Sequence, residues 1–309
     1  MKPAITIIMA TYNRANFIKE TLLSIQNQTF ANWECIIIDD GGTDNTGDII
    51  QEVLQDDKRF QFLKRTGQYK KGLPGCRNCG LDLAQGDYIV FFDDDDIVHP
   101  DNLKISHTII MNNNVDFCHY QKQSFENEGP VFQFQMVQNR TSLSDKDIES
   151  VLTQKIGMAS CTVLWSKKCF ESIRFREELL YAEEWECYSR IIMNGFRGLI
   201  IDSVLYFNRK HPNSNTAEFY RNNTIRKTSK KDAILLVIGN LKNKGFLTNS
   251  LIRYFIQMSL QFKEFNLFKS ILAEAKMSNV EQIKWLVFYK LLPLRLFLHK
   301  FKKQLFQKK

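Results

Sequence analysis

Residues 88–96 read YIVFFDDDD, an apolar run that ends in four consecutive aspartates, Asp93 to Asp96. A run of this kind is typical of a buried strand, and the aspartates stand where that strand ends. Carboxylates this close together repel one another and are costly to bury unpaired, so they require a cation or open solvent. A solvated acidic turn and a divalent metal site both fit the run alone. Because ligands of open α/β sheets bind at the carboxyl ends of strands, the position favours the metal site.

Strand-like and helix-like segments alternate through the first half of the chain. Apolar runs predict strands near residues 4–10, 33–39, 60–64, 87–92 and 115–120. Helical patterns lie between them, near residues 15–27, 45–56, 74–84 and 101–113. This alternation predicts an α/β fold with a mostly parallel central sheet flanked by helices. The second strand also ends in acids, Asp39 and Asp40, so two strands deliver carboxylates to one edge.

The pattern becomes irregular after about residue 120, where 131–134 and 160–165 are the plausible strands. From Thr216 onward the sequence predicts helices, and the last of them, residues 279–306, mixes apolar residues with lysines. We therefore predict a first domain at residues 1–215, with halves at about 1–120 and 121–215. A helical C-terminal extension follows at residues 216–309.

The net charge of +8 is unevenly distributed along the 309 residues. Residues 225–309 carry 18 of the 42 Lys and Arg residues and four of the 34 Asp and Glu residues, a balance of +14 that leaves −6 on the rest. An acidic body excludes nucleic acid as the main ligand, because phosphate binding needs a basic face near the site. The basic extension fits an anionic membrane surface, a tail that packs on the body with solvated lysines, or oligomerisation.

The cysteines and the N-terminus bear on the compartment. The seven cysteines form no regular framework, and the pair Cys76 and Cys79 lacks the further ligands that a structural zinc site needs. The apolar residues 4–10 read as a first strand and not as a secretion signal, and no apolar run reaches the ~18 residues of a membrane span. The sequence predicts a cytoplasmic protein.

Several short motifs occur in a fixed order along residues 4–101. They are Met9-Ala10-Thr11-Tyr12-Asn13-Arg14, Gln28-Thr29-Phe30, Ile38-Asp39-Asp40-Gly41-Gly42-Thr43-Asp44, Cys76-Arg77-Asn78-Cys79-Gly80, Ala84-Gln85-Gly86, and Asp93 to Asp96 with Pro100-Asp101. In this order and spacing the chain resembles the family 2 glycosyltransferases, which have the GT-A fold. Later in the chain the resemblance rests on Glu183-Glu184-Trp185 and on His211 with Ser214.

The resemblance implies an enzyme that moves a sugar from a nucleotide-diphosphate donor to an acceptor. Residues 1–120 would hold the donor, and residues 121–215 the acceptor. Tyr12 matches the family position beside the nucleobase, Ala10 would touch it through its backbone, and Asp40 matches the carboxylate that accepts a hydrogen bond from a uracil-like ring N–H. Arg77 is the candidate partner of the diphosphate.

The family resemblance also implies roles for the four aspartates. Asp93 and Asp95 match its D-x-D motif, with Asp95 as the first candidate for direct contact with Mg²⁺ or Mn²⁺, which favour oxygen ligands. His211 resembles a histidine near the metal, and an ordinary loop histidine is the alternative. Asp94 and Asp96 are candidates for contact with the sugar or for support of the metal ligands.

In the family that the chain resembles, the catalytic base is usually the Asp of a Glu-Asp pair before an aromatic residue. Glu184 occupies that position here, with one extra methylene. The expected reaction inverts the anomeric centre, uses a UDP-linked donor, and transfers to a glycan or lipid-linked acceptor, as in surface polysaccharide biosynthesis at the inner membrane face. The Asp-to-Glu change leaves open a shifted base or a catalytically inactive binding protein. A G-x-x-x-x-G-K-[ST] phosphate loop and a G-x-G-x-x-G motif are absent, which disfavours nucleotidyl transferases and dehydrogenases.

Overall fold

The computed structural model describes residues 2–55, 57–126, 129–211, 219–221, 223–262 and 264–306. Ser214, one of the residues in the family resemblance, lies outside them. The chain divides into two compact units, Met1–Ala233 and Ile234–Lys309.

The first unit is an α/β fold, as the sequence predicts. Its strands are β1 Ile5–Thr11, β2 Trp33–Asp39, β3 Phe60–Lys64, β4 Tyr88–Phe92, β5 Ile97–Val98, β6 Phe117–Phe125, β7 Arg140–Leu143, β8 Val163–Ser166 and β9 Gly198–Arg209. Its helices are α1 Ile18–Gln26, α2 Thr46–Leu54, α3 Leu73–Leu83, α4 Asn102–Asn113, α5 Ile148–Leu152 and α6 Glu183–Met193. Helix α7, Thr224–Lys244, begins in this unit and ends in the second.

The central sheet has a parallel half and a mixed half. Its order is β3-β2-β1-β4-β8-β6-β9-β5, with β7 paired to β9. The strands from β3 to β4 are parallel, as predicted, whereas β4 pairs with β8 and β8 with β6 in antiparallel fashion. Strands β1 and β2 are buried along nearly their whole length, which explains their continuous apolar sequence. The parallel half therefore brings the ends of β1, β2 and β4 to one edge.

Helix α3 packs against β1 and β2 through a glycine. A Cβ atom on Gly80 would lie 2.4 Å from Cγ2 of the buried Ile8, a distance that real side chains do not tolerate. Only glycine lets the helix approach the strand this closely. Gly80 thus fixes the position of the helix that carries Arg77.

One predicted strand is wrong. Residues 131–134 form no strand, and the whole segment 129–139 lacks regular structure. Hydrogen bonds that involve side chains hold this segment against its neighbours. Gln133 O lies 3.0 Å from His99 Nε2, and Gln135 Oε1 accepts a hydrogen bond from Val204 N–H at 3.0 Å. Side-chain hydrogen bonds of this kind satisfy backbone groups without a strand partner, so the apolar content of residues 131–134 did not produce a strand.

The second unit is helical in its described part, as the sequence predicts. It holds the end of α7 together with α8 Asn249–Gln261, α9 Phe265–Glu274 and α10 Asn279–Phe306, and α8 packs against both α9 and α10. Trp285 and Leu292 of α10 are buried, whereas the apolar stripe of this helix is exposed: Val280, Ile283, Val287, Leu291, Leu294, Phe297 and Leu298. Across the described residues, the helices are too short or too polar to cross a bilayer.

Candidate active site

Parallel pairing places the motif residues next to one another. Thr11 of β1 lies opposite Asp39 of β2, and Met9 lies opposite Phe92 of β4. The residues that follow these strands, Tyr12, Asp40 and Asp93, therefore emerge at the same edge of the sheet, and Ala10 is half-buried just before it. The structure therefore brings these predicted site residues together at one edge of the sheet.

Tyr12 and Asp40 differ in how firmly they are held. The Tyr12 ring is 45% exposed, and the Lys71 ammonium lies 4.8 Å from its centroid. Asp40 is buried, with Arg65 Nε 2.6 Å from Oδ1 and the Gly72 N–H donating to Oδ2 at 3.0 Å. A carboxylate offers about four lone-pair sites, so Asp40 retains capacity for one more donor. An exposed ring beside a fixed acceptor suits a planar heterocycle.

The loops after β1 and β2 are joined through Asn13. This residue has a left-handed φ of 53°, which asparagine tolerates better than most residues. Its Oδ1 accepts the Thr43 N–H at 2.7 Å and the Asp44 N–H at 3.3 Å. Asp44 Oδ2 in turn accepts the Ala15 N–H at 3.2 Å. These bonds hold the two loops that flank Tyr12 and Asp40 in one arrangement.

Each aspartate of the cluster has a different set of partners. Arg14 Nε lies 3.0 Å from Asp94 Oδ1 and 3.4 Å from Asp95 Oδ2. Asp95 Oδ2 is also 3.0 Å from His211 Nε2, so two of the three predicted metal ligands are in contact. Asp96 Oδ1 accepts the Arg209 N–H at 2.7 Å. Sequence reasoning gave Arg14 and Arg209 no role, because their partners lie far away in the chain.

The third predicted ligand, Asp93, belongs to a second group of possible ligand atoms, although the Asp95 charge also acts on it. One carboxylate oxygen each of Asp93 and Asp96 and the Cys161 thiol lie within 4.8 Å of one another, a group that does not include Asp95 or His211. Burial raises the pKa of the Cys161 thiol well above its ordinary value. A protonated thiol is a poor ligand for Mg²⁺ or Mn²⁺, which prefer oxygen, so the carboxylates are the candidate ligands.

The electrostatics of the cluster fit a cation. Burial raises the pKa of Asp94 to about 7, with Arg14 opposing the rise and Asp95 adding to it. Burial also raises the pKa of Asp93 and of Asp96, and nearby carboxylates add to both. A bound divalent ion would stabilise the ionised forms of these neighbouring carboxylates, because it offsets their mutual repulsion.

Arg77 links this cluster to the start of α6. Its side chain is buried, with Nη1 2.8 Å from Glu183 Oε1 and Nη2 3.7 Å from Asp93 Oδ1. The guanidinium carbon lies 5.7 Å from the Phe91 centroid and 5.3 Å from that of Phe175. Both terminal nitrogens of the guanidinium therefore face carboxylates, and the Phe91 and Phe175 rings lie near the guanidinium. A diphosphate contact of Arg77 stays a prediction, and the contacts favour a positioning role.

Glu184, the candidate base, lies beside this buried pair. Helix α6 begins at Glu183, directly after Ala182 in a left-handed conformation with a φ of 65°. A non-glycine residue in this region is strained, and such strain persists where the surroundings impose it. Glu184 is half-buried, whereas Glu183 is buried. Burial and then the like charge of Glu184 raise the pKa of Glu183 to about 8, with Arg77 opposing the rise.

The Asn78 side chain joins α3 to the segment around Phe175. Its Oδ1 accepts the Phe175 N–H at 3.0 Å, and its Nδ2 donates to Phe175 O at 3.0 Å and to Glu177 Oε1 at 2.8 Å. These bonds hold the segment that leads toward α6 against α3. Helix α3 thereby connects the aspartates after β4, through Arg77, with the start of α6.

Comparison with known proteins adds to this geometry. Residues 6–168 match the family model described as Glycosyl transferase family 2. An uncharacterized glycosyltransferase of Haemophilus influenzae is 30% identical over 232 residues, which cover 67% of this chain and 89% of that protein. The Escherichia coli UDP-Glc:alpha-D-GlcNAc-diphosphoundecaprenol beta-1,3-glucosyltransferase WfgD is 35% identical over 130 residues, 42% of this chain but only 50% of WfgD.

A solved structure confirms the fold. Staphylococcus aureus TarS (residues 1–349, in complex with UDP) superposes with a TM-score of 0.62 at 19% identity. The superposition covers 92% of this chain and 78% of TarS. At this level of identity the likeness establishes the architecture of the chain.

Proposed function

The chain belongs to glycosyltransferase family 2, and we propose that it is a metal-dependent inverting enzyme that uses a UDP-linked sugar. The observation that carries this proposal is the shared strand edge where Tyr12, Asp40 and the cluster Asp93–Asp96 meet, joined through Arg77 to Glu183 beside Glu184. The printed activity of WfgD, with UDP-Glc as donor and a diphosphoundecaprenol-linked acceptor, supports a lipid-linked glycan as acceptor here. Such a reaction belongs to surface polysaccharide biosynthesis.

The donor would lie along the strand ends. Tyr12 offers an exposed ring for the base to stack on, and Asp40 offers a fixed acceptor for the uracil N–H. A base without that N–H would shield Asp40 from water and leave one of its acceptor positions unused, which disfavours such a base.

The candidate ligands of Mg²⁺ or Mn²⁺ are Asp95 with His211, and Asp93. Such an ion supplies neutralisation of negative charge on the departing nucleoside diphosphate. Arg14 holds the carboxylates of Asp94 and Asp95 in place, and the Arg209 N–H holds Asp96. The protein therefore pre-arranges its carboxylates before the donor binds.

Glu184 would take the proton from the acceptor hydroxyl as its oxygen attacks the anomeric carbon. The new glycosidic bond forms on one face of the sugar while the bond to the diphosphate breaks on the other, so the anomeric configuration inverts. The electron pair of the broken bond leaves with the nucleoside diphosphate. The proton of the acceptor hydroxyl ends on the Glu184 carboxylate, which is half-buried at the start of α6.

Calorimetric titration with UDP-, GDP- and dTDP-linked sugars, with and without Mn²⁺, tests the donor assignment. We expect one uridine donor to bind, at least ~10-fold more tightly with Mn²⁺, which is about 1.4 kcal/mol. In Asp95→Ala that gain should vanish, because the carboxylate that contacts His211 is gone. Asp48→Ala, on the exposed face of α2, is the matched control. Unchanged Mn²⁺ dependence in Asp95→Ala would remove Asp95 from the metal site, and failure of every donor would contradict the donor assignment.

We further propose that α10 holds the enzyme on an anionic membrane surface. The exposed apolar stripe of α10 spans Val280 to Leu298 at helical spacing, and exposed basic residues Lys284, Lys290 and Arg295 accompany it. Apolar side chains enter the lipid boundary while basic groups attract anionic headgroups. This arrangement would bring the active site to a lipid-linked acceptor.

Vesicle sedimentation tests this membrane proposal. The full chain should bind phosphatidylglycerol vesicles and bind phosphatidylcholine vesicles more weakly, with binding reduced by salt. Val287→Glu combined with Leu294→Glu should lower the bound fraction at least ~10-fold, because two apolar contacts are lost. Leu83→Glu, an exposed change on α3, should leave binding unchanged. Equal binding of the double variant would contradict the proposal, and its conversion from dimer to monomer would assign the stripe to self-association instead.

A further inference from the structure

Side chains at the start of α7, together with Phe219 before it, contact the segment that leads to Glu184. The Ser229 hydroxyl accepts the Tyr181 N–H at 2.9 Å and donates to Tyr181 O at 2.8 Å. Arg226 Nη1 donates to Leu180 O at 3.0 Å, and the Phe219 ring stacks on Tyr181 with centroids 4.4 Å apart. These contacts come from residues beyond the family-model match at 6–168 and lie within the first unit. The base is thus positioned by the start of α7 as well as by the sheet.

Lys230, the residue after Ser229 on α7, projects toward the start of α6. Its Nζ lies 3.9 Å from the centroid of Trp185, and the Trp185 indole N–H donates to Leu152 O at 3.2 Å, which fixes the ring. Burial lowers the pKa of Lys230 to about 8, and the charges of Glu184 and then Glu183 oppose that fall. The described residues place no carboxylate oxygen within 4.0 Å of Nζ. The ammonium therefore acts on Glu184 across a gap and not through a contact ion pair.

We propose that Lys230 is a positioning residue for the base, one that stabilises the ionised Glu184 carboxylate and aims it at the acceptor hydroxyl. The inference rests on the proposed role of Glu184. The indole fixes where the ammonium sits, because a cation gains from a ring face and the ring itself is anchored.

An anion-binding role for Lys230 fits the surroundings less well. The Glu184 carboxylate near it creates a negative potential, which would repel an acceptor phosphate. Among the described residues, the titratable groups whose leading interactions include Glu184 come from five parts of the fold: Arg77 on α3, Asp93 after β4, Glu183 and Tyr188 on α6, Tyr181 before it, and Lys230 on α7. Arg77 is held between Glu183 and Asp93, whereas Lys230 interacts with Glu184 more strongly than with Glu183.

Steady-state hydrolysis of a UDP-sugar, with water in place of the acceptor, tests the proposal without knowledge of the acceptor. Lys230→Met keeps the stem over Trp185 and removes the charge, so kcat should fall roughly 10- to 100-fold with donor KM within ~3-fold. The acidic limb of the pH–rate profile should move to higher pH, because loss of a neighbouring cation disfavours the ionised carboxylate. Lys230→Arg should recover most of the rate. Lys104→Met, an exposed lysine on α4, is the charge-matched control.

A double-mutant cycle separates positioning from general support of the fold. In the Glu184→Gln background, Lys230→Met should cost nothing further, because the group it positions is gone. An additive loss, a raised KM with unchanged kcat, or an unmoved acidic limb would each overturn the proposal.

NMR titration of the lysine side chains gives a readout that is independent of turnover. In Glu184→Gln the pKa of Lys230 should be lower than in the wild type, because the nearest opposing charge is removed. An unchanged pKa would contradict the coupling. Failure of the wild type to use any nucleotide sugar would contradict the proposed function alone.

Discussion

Glu184→Gln is expected to lower glycosyl transfer at least ~100-fold and to leave donor affinity near that of the wild type, because removal of a general base typically costs 10²–10⁴-fold. Glutamine has nearly the same shape as glutamate and accepts a hydrogen bond, but it does not take up the hydroxyl proton at neutral pH. The donor residues Tyr12 and Asp40 lie at the strand edge and are not altered. Turnover of the lipid-linked or glycan acceptor, measured beside calorimetric donor binding, separates the two effects.

Glu171→Gln is the matched control for this prediction, since Glu171 is exposed after a short turn that follows β8. It should keep both turnover and affinity. Retained turnover in Glu184→Gln would move the base to another residue. Donor binding without turnover in the wild type would favour the catalytically inactive binding protein that the Asp-to-Glu change leaves open.

The parallel half of the fold was predictable because its evidence is local. Nearly continuous apolar runs such as residues 33–39 are typical of buried parallel strands, and acids that follow two neighbouring parallel strands meet at one sheet edge. The family and the enzyme class follow from the same motifs, and both are confirmed. Residues 131–134 show the limit of this reasoning, since side-chain hydrogen bonds replaced the expected strand.

The contacts among charged groups were not predictable, because they join residues far apart in the chain. Arg77 and Glu183 are 106 residues apart, and Arg209 and Asp96 are 113 apart. No local pattern indicates which arginine neutralises which acid, so Arg14 and Arg209 had no assigned role. Lys230 lies in a segment whose excess of lysines suggested a solvated or membrane-bound face, and only the fold shows that this lysine projects toward the base. The roles of individual site residues stay predictions.

Arg77→Met is expected to reduce the free energy of unfolding by about 3–5 kcal/mol above about pH 8, where Glu183 is ionised. This is the usual cost of removing one partner from a buried ion pair. Methionine fills the space between Phe91 and Phe175 but leaves Glu183 and Asp93 without their shared cation. Urea unfolding followed by tryptophan fluorescence measures the change. Arg174→Met removes an arginine from an exposed pair with Asp82, so it should cost less than ~1 kcal/mol.

The loss in Arg77→Met should also depend on pH in a defined direction. The folded protein holds a proton on Glu183 up to about pH 8, whereas the unfolded chain releases it near the ordinary value of 4.5. Between these values the folded state binds more protons, so stability falls as the pH rises through this window. Without the opposing cation the cost of ionising Glu183 grows, so the loss should be larger at pH 9, above the pKa of about 8, than at pH 5. Arg77→Met combined with Glu183→Gln should regain part of the stability at pH 9. Equal losses at both pH values, together with no recovery in the double variant, would show that Arg77 stabilises the fold through ring packing alone and does not hold the two acids together.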